Sequence, residues 1–105
     1  MANPWAGEVT ITVDGIPHVC KLTLGALAEL EDTLGEDTLV ALVQRFESGA
    51  FASRDVMALI VAGLRGGGWS GTRADLLTAE IGDGPVAAAK VAAQLLARAF
   101  GGGGS

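Results

Sequence analysis

Polar and apolar residues alternate from Glu8 to Val13, Asp14-Gly15 interrupts them, and alternation resumes from Ile16 to Leu22. That pattern predicts a β-hairpin, because Asp-Gly between two alternating runs suits a two-residue turn. With Asp14-Gly15 as the loop, Val13 faces Ile16, Ile11 faces His18 and Val9 faces Cys20, and all six share one face of the ribbon. Thr10, Thr12, Pro17 and Val19 take the other face, and Glu8 falls opposite Lys21 as a cross-strand charge pair. A two-stranded ribbon is marginal alone, so its apolar face needs helices or a further strand, and its open edges can accept a partner.

From Thr23 the period becomes helical. Leu24, Leu27, Leu30 and Leu34 are spaced for one side of a helix that stops at Gly35. Asp37 can cap a second helix with Leu39, Leu42, Val43 and Phe46 as its core stripe, ended by Ser48-Gly49. Ser53 can cap a third, with Asp55 in its first turn. Val56, Met57, Leu59, Ile60, Val61 and Leu64 leave it apolar nearly all round, so it is expected at the centre. After Arg65-Gly66-Gly67-Gly68-Trp69-Ser70-Gly71 the pattern breaks, and Thr72 with Asp75 starts a short fourth helix through Leu76, Leu77 and Ile81. Gly82-Asp83-Gly84 breaks it again, and Pro85 opens a fifth helix to about Phe100. In that helix Lys90, Gln94 and Arg98 form a polar stripe, while Val86, Ala89, Ala93, Leu96 and Phe100 form an apolar seam that wants covering. The fold class expected is therefore α+β, an N-terminal hairpin followed by about five helices packed around one core.

Composition narrows the class. A chain of 105 residues supports a single domain, taken as residues 1–100, with the glycine-rich stretch 101–105 as a flexible tail. Half of the residues are hydrophobic and 18% are charged, which fits a packed protein and not a disordered one. No apolar run is long enough to span a bilayer, and Met1 to Trp5 lack the basic and apolar regions of a secretory signal, so a cytoplasmic, non-membrane protein is expected. The single cysteine, Cys20, agrees and forbids an internal disulfide. A net charge of −5 repels phosphate backbones on average, which argues against nucleic acid as a partner.

Candidate chemistry is sparse. His18 and Cys20 share a strand face, but no second His or Cys exists to complete a zinc site, and no third group orients the pair for nucleophilic catalysis. Glu29, Glu31, Asp32, Glu36 and Asp37 form an acidic patch, better suited to guiding a basic partner than to acid–base chemistry. Gly66-Gly67-Gly68 lacks the Gly-Lys-Ser or Gly-Lys-Thr of a phosphate loop and follows a helix, not a strand. Helices three and four outline a helix-turn-helix, yet the fourth carries only Arg73 as a cation against Asp75 and Glu80. No enzyme activity, cofactor, metal or small-molecule substrate is expected. The remaining candidates are protein-interaction residues: Arg65, Gly66, Gly67, Gly68 and Trp69 in the glycine loop, and Val86, Ala93, Leu96 and Phe100 on the fifth helix.

With enzymes disfavoured, four segments in order carry a resemblance: Val13-Asp14-Gly15; Leu22-Thr23-Leu24-Gly25-Ala26-Leu27-Ala28-Glu29-Leu30-Glu31; Arg45-Phe46-Glu47; and Ala62-Gly63-Leu64-Arg65-Gly66-Gly67-Gly68-Trp69. The chain resembles the small tail-module protein family of gene transfer agents, from the hairpin to the fourth helix, and the fifth helix matches only in being Ala-rich. Such proteins are similar to phage tail assembly chaperones. The resemblance implies binding of the tail tape measure protein and tail tube subunits, possible homo-oligomers, and no catalytic residue to carry over. The family has also been labelled as tail tube protein, and a structural tail component is the alternative; a small DNA-binding regulator is the second. The paucity of strand favours the chaperone reading, because a tube ring is built from extended sheets.

Overall fold

The computed structural model describes residues 7–100. The expected readings of the N-terminal Met1 to Trp5 and of the tail 101–105 lie outside them. The hairpin consists of β1 (Val9–Val13) and β2 (Ile16–Cys20), antiparallel, in the register that the alternation predicts: Val9 opposite Cys20, Ile11 opposite His18 and Val13 opposite Ile16. Asp14 and Gly15 both have positive φ, 50° and 79°, as the two-residue primed turn requires. Val9, Ile11, Val13 and Cys20 are buried, but Ile16 hangs beyond the core and is 59% exposed. The ladder ends at Val9 and Cys20, one pair short of the expected Glu8–Lys21 rung, and on the outer edge of the ribbon the Lys21 N–H donates to the Gly63 carbonyl of the central helix at 2.9 Å.

Five helices follow: α1 (Leu24–Leu34), α2 (Leu39–Ser48), α3 (Ser53–Gly66), α4 (Arg73–Leu77) and α5 (Gly84–Phe100). Their ends follow capping chemistry, with small shifts from the sequence reading. Thr23 Oγ1 accepts from Ala26 N at 3.1 Å to start α1, and Gly35 at φ 66° ends it. Thr38, not Asp37, caps α2 by accepting from Ala41 N at 3.0 Å, because Asp37 is engaged with the Thr38 N–H and with Arg45. The N-cap of α3 is Ala52, one residue before Ser53, and Asp55 Oδ2 takes the Ala52 N–H at 2.8 Å.

Helix α3 is the central element, packed on α1, α5, β2 and α4. Its periodicity sends these partners to different sides: at 100° per residue Ala62 lies roughly 200° from Ile60. Ala58 and Ala62 meet α1 beside Leu30, whereas Val56 and Ile60 look toward Ala88 and Ala89 of α5. One buried cluster joins the hairpin to all five helices, with Cys20, Leu30, Leu42, Leu59, Ile60, Leu64 and Leu95 the most deeply enclosed.

Three stripes differ from expectation. In α1, Ala26 and Leu30 are buried, whereas Leu24, the first residue of the helix, is 85% exposed. In α5 the buried seam is Ala88, Ala92, Leu95 and Leu96, so of the expected seam only Leu96 is buried. Helix α4 stops at Leu77 instead of continuing through Ile81. Ile81 forms an antiparallel bridge with Val13, flanked by Asp14 N to Glu80 O at 2.7 Å and Gly82 N to Thr12 O at 2.9 Å. The open outer edge of β1 thus captures the segment, which satisfies backbone groups that a longer helix would leave unpaired.

Candidate protein-interaction surface

The glycine loop is built for close approach. A Cβ on Gly66 would collide with the Lys21 carbonyl, and one on Gly67 with the Val19 carbonyl, so the end of α3 lies directly on the backbone of β2. Gly68 continues at φ 103°, a conformation that favours glycine, and the Trp69 N–H returns to Leu64 O at 2.9 Å. That folds the half-buried Trp69 ring onto the core, with Gly71 against its face, where a Cβ would strike the ring. Arg65 holds the loop from outside: its Nε donates to Glu29 Oε1 at 2.7 Å and its Nη1 to Gly71 O at 3.0 Å. The Arg65 hydrogen bond keeps the Glu29 carboxyl below the usual range and raises the guanidinium pKa further.

A second feature has the opposite character. Between α3, α4 and α5 lies an open groove of about 770 Å³. Phe51, Val56, Met57, Ile60, Leu76, Leu77, Ile81, Pro85, Val86, Ala88 and Ala89 line it, and only Ser53 and Glu80 interrupt the apolar wall. Val86 is 81% and Leu77 58% exposed at its rim. Sites that take partner side chains are typically concave and mostly apolar with a few placed polar groups. A smaller groove of about 380 Å³ runs between α2 and the other end of α5, lined by Val43, Phe46, Glu47, Ala93, Leu96, Ala97 and Phe100.

The acidic patch is partly absorbed into the fold. Arg45 of α2 grips Asp55 with two hydrogen bonds, Nε to Oδ2 at 3.1 Å and Nη2 to Oδ1 at 3.0 Å, and reaches Asp37 at 2.8 Å. Burial acts to raise the Asp55 pKa, but the Arg45 guanidinium and the Ala52 N–H outweigh it and hold the carboxyl below its ordinary value. Arg45 does the same for Asp37. Cys20 is fully buried, and burial pushes its thiol up to about 12, which keeps it protonated and unreactive at neutral pH. Among the described residues no three His, Cys, Asp or Glu side chains come together as a metal-binding group would. Among them, too, no helix is long and apolar enough to cross a membrane.

The sequence candidates therefore separate into three places. Arg65, Gly66, Gly67, Gly68 and Trp69 are brought together, but their contacts are with β2, α1 and the core. Val86 sits at the rim of the large groove, while Ala93, Leu96 and Phe100 border the small one, with Leu96 buried and Phe100 half exposed. Phe51, Met57, Leu77 and Ile81, which complete the large groove, are not among the interaction candidates of the sequence, which places Met57, Leu77 and Ile81 only as helix residues. The available signal was the Leu76-Leu77 pair: a five-residue helix cannot bury both side chains against one neighbour.

Comparison with known proteins adds one finding. No curated protein and no solved structure gives a significant match. The family model described as phage tail tube protein, GTA-gp10, matches residues 6–102, nearly the whole chain and every element from β1 to α5. The chain therefore belongs to the GTA-gp10 phage tail tube protein family of gene transfer agent and phage tail modules.

Proposed function

We propose that this protein is a structural component of the tail tube and works by protein–protein contact without catalysis. The observation that carries the reading is the family match along residues 6–102, whose description names the tube itself. That description puts the tube component ahead of the chaperone that the sequence reading preferred. Its partners on this reading are other copies of the chain and neighbouring tail proteins. The test is to purify the protein, concentrate it and look for rings or tubes by electron microscopy, and to probe purified particles for the chain. Rings together with presence in particles support the tube component; absence from both sinks it.

A second reading, an assembly chaperone for the tape measure protein, is favoured by the groove between α3, α4 and α5. An open, nearly unbroken apolar wall suits the apolar face of an unassembled helical client. The two five-residue strands also offer little sheet from which to build a ring. Co-expression with the tape measure protein tests this reading. A chaperone retains that protein in solution on gel filtration and is missing from the finished particle.

A further inference from the structure

We propose that the strap between α4 and α5, residues 78–83, is a latched flap: it opens as one local unit while the rest of the fold stays closed, and Asp14 at the hairpin tip is its latch. The device is the same whether the protein builds the tube or serves as a chaperone. Among the described residues, three hydrogen bonds tie the strap to the outer edge of the hairpin. Asp14 makes two of them to one residue, its N–H donating to Glu80 O at 2.7 Å and its Oδ1 accepting from Glu80 N at 2.8 Å. The Gly82 N–H donates to Thr12 O at 2.9 Å and closes the bridge around Val13 and Ile81. Asp14 thus has two tasks, a turn residue at φ 50° and a clasp on a segment 66 residues away.

Little else anchors the strap. No residue from 77 to 87 is buried, whereas α3 and α5 on either side supply Leu59, Ile60, Leu64, Ala92, Leu95 and Leu96 to the core. Ala79 and Ile81 only lean against that core, half-buried. The strap leaves through Asp83 and Gly84 at φ 65° and 81°, so a residue with a side chain is held in the left-handed region that favours glycine, and release relieves it. A segment with few buried apolar contacts and exposed hydrogen bonds opens far more readily than the whole domain unfolds. Ala79, Glu80, Ile81 and Gly84 also form one wall of the α3–α4–α5 groove. When the strap leaves β1 that wall moves and the groove widens, while Thr12 O and Asp14 N are freed on the strand edge. One two-state segment therefore couples two surfaces: whatever competes for the β1 edge widens the groove, and whatever needs a wider groove frees the edge.

Native-state hydrogen exchange followed by NMR, in urea concentrations below the unfolding transition, tests the flap. The Glu80 and Gly82 amides should exchange at least about 100-fold faster than those of Leu59 and Ile60 in α3, and with little dependence on urea, because a local opening exposes little surface. Two substitutions then disturb one end of the strap and are read at the other. Asp14→Gly keeps a residue suited to positive φ but removes the carboxylate. Exchange at Gly82, whose own bond to Thr12 O is untouched, should rise about tenfold, the effect of losing one hydrogen bond. Gly82→Ala sets a Cβ 2.9 Å from Thr12 Cβ, which the β1 backbone holds in place, and should speed exchange at Glu80 by a similar factor. Asp14→Asn retains both an acceptor oxygen and tolerance of positive φ, so it should return Gly82 to within about twofold of wild type. Strap amides as protected and as urea-dependent as those of α3 would mean that the strap opens only with the whole fold, which overturns the flap. Substitutions that quicken only the end they touch show independent fraying and overturn it too. Exchange as fast in Asp14→Asn as in Asp14→Gly overturns Asp14 as the latch.

Discussion

The two ends of α3 are built on opposite principles. At the C-terminal end, Gly63, Gly66 and Gly67 bring the helix so close to its neighbours that a single added carbon meets Leu95, the Lys21 carbonyl or the Val19 carbonyl. At the N-terminal end, Val56, Met57 and Ile60 border about 770 Å³ of open apolar space. The same helix is filled to contact on one side and left unfilled on the other. Interiors are packed like organic crystals, so empty apolar volume at the surface of an otherwise tight fold marks a place kept for something else. The tight end should be sensitive to the smallest change in volume, and the open end should tolerate large ones.

The strongest test of that contrast is Gly66→Ala or Gly67→Ala. Neither clash can be relieved by a side-chain rotation, because the atoms met belong to the backbone of β2 and of Lys21 just after it. The helix must withdraw from the sheet, which breaks the Lys21 N–H bond to Gly63 O and unseats Trp69. A loss of about 3 kcal/mol or more is expected, enough to unfold a marginal domain, and urea denaturation measures it. Gly63→Ala separates close packing from backbone collision. Its Cβ would meet Leu95 Cδ1 at 2.7 Å and Cys20 Cβ at 3.2 Å, and the Leu95 tip can turn aside, so about 1–2 kcal/mol should be lost. If all three variants cost less than about 0.5 kcal/mol, the close approach is not what holds the hairpin.

Much of this architecture is legible in the pattern of residues. The hairpin register follows from alternation plus Asp14-Gly15, and the ends of α1 and α2 follow from Thr23, Gly35 and Gly49. These are local rules, decided within four or five residues. The caps of α2 and α3 each fall one residue from the expected position, and the larger errors are non-local. Ile81 leaves α4 because the β1 edge, nearly 70 residues earlier, offers hydrogen bonds. The seam of α5 is chosen by where α3 and β1 stand, since an Ala-rich helix presents several near-equivalent faces. The close approach of Gly66 and Gly67 to the strand is likewise invisible without the partner strand. The large groove was missed for the same reason: it exists only where three helices fail to close.

The first turn of α3 also carries a charge clamp, of intermediate weight. Asp55 is buried, accepts two hydrogen bonds from Arg45 and one from Ala52 N, and so ties α2 to the start of α3. Asp55→Asn should cost about 1–3 kcal/mol at neutral pH, since it loses a capping charge and leaves Asp37 as the carboxylate partner of Arg45. The pH dependence has a definite sign. The folded-state pKa of Asp55 and Asp37 lies below the ordinary value of 3.8, so their contribution is present above that value and is lost as pH falls through the depressed folded value. Wild-type stability should therefore fall in the acid range below about pH 4, and Asp55→Asn should flatten part of that fall. An identical acid profile in the variant would show that the clamp contributes nothing.

The smallest effect on folding is expected at the open end. Val86→Glu and Leu77→Glu place a charge where the native side chains are already 81% and 58% exposed. Neither is enclosed by its own chain, so each should change stability by no more than about 0.5 kcal/mol in thermal denaturation. The same carboxylates sit on the lip of the groove and oppose any apolar occupant, because seating one there would strip a charge of water without a partner. Stability and binding should therefore separate at these positions, whereas at Gly66 and Gly67 binding can be lost only along with the fold. Should Val86→Glu lower stability by as much as Gly63→Ala does, the groove is part of the core and the contrast between the two ends of α3 disappears.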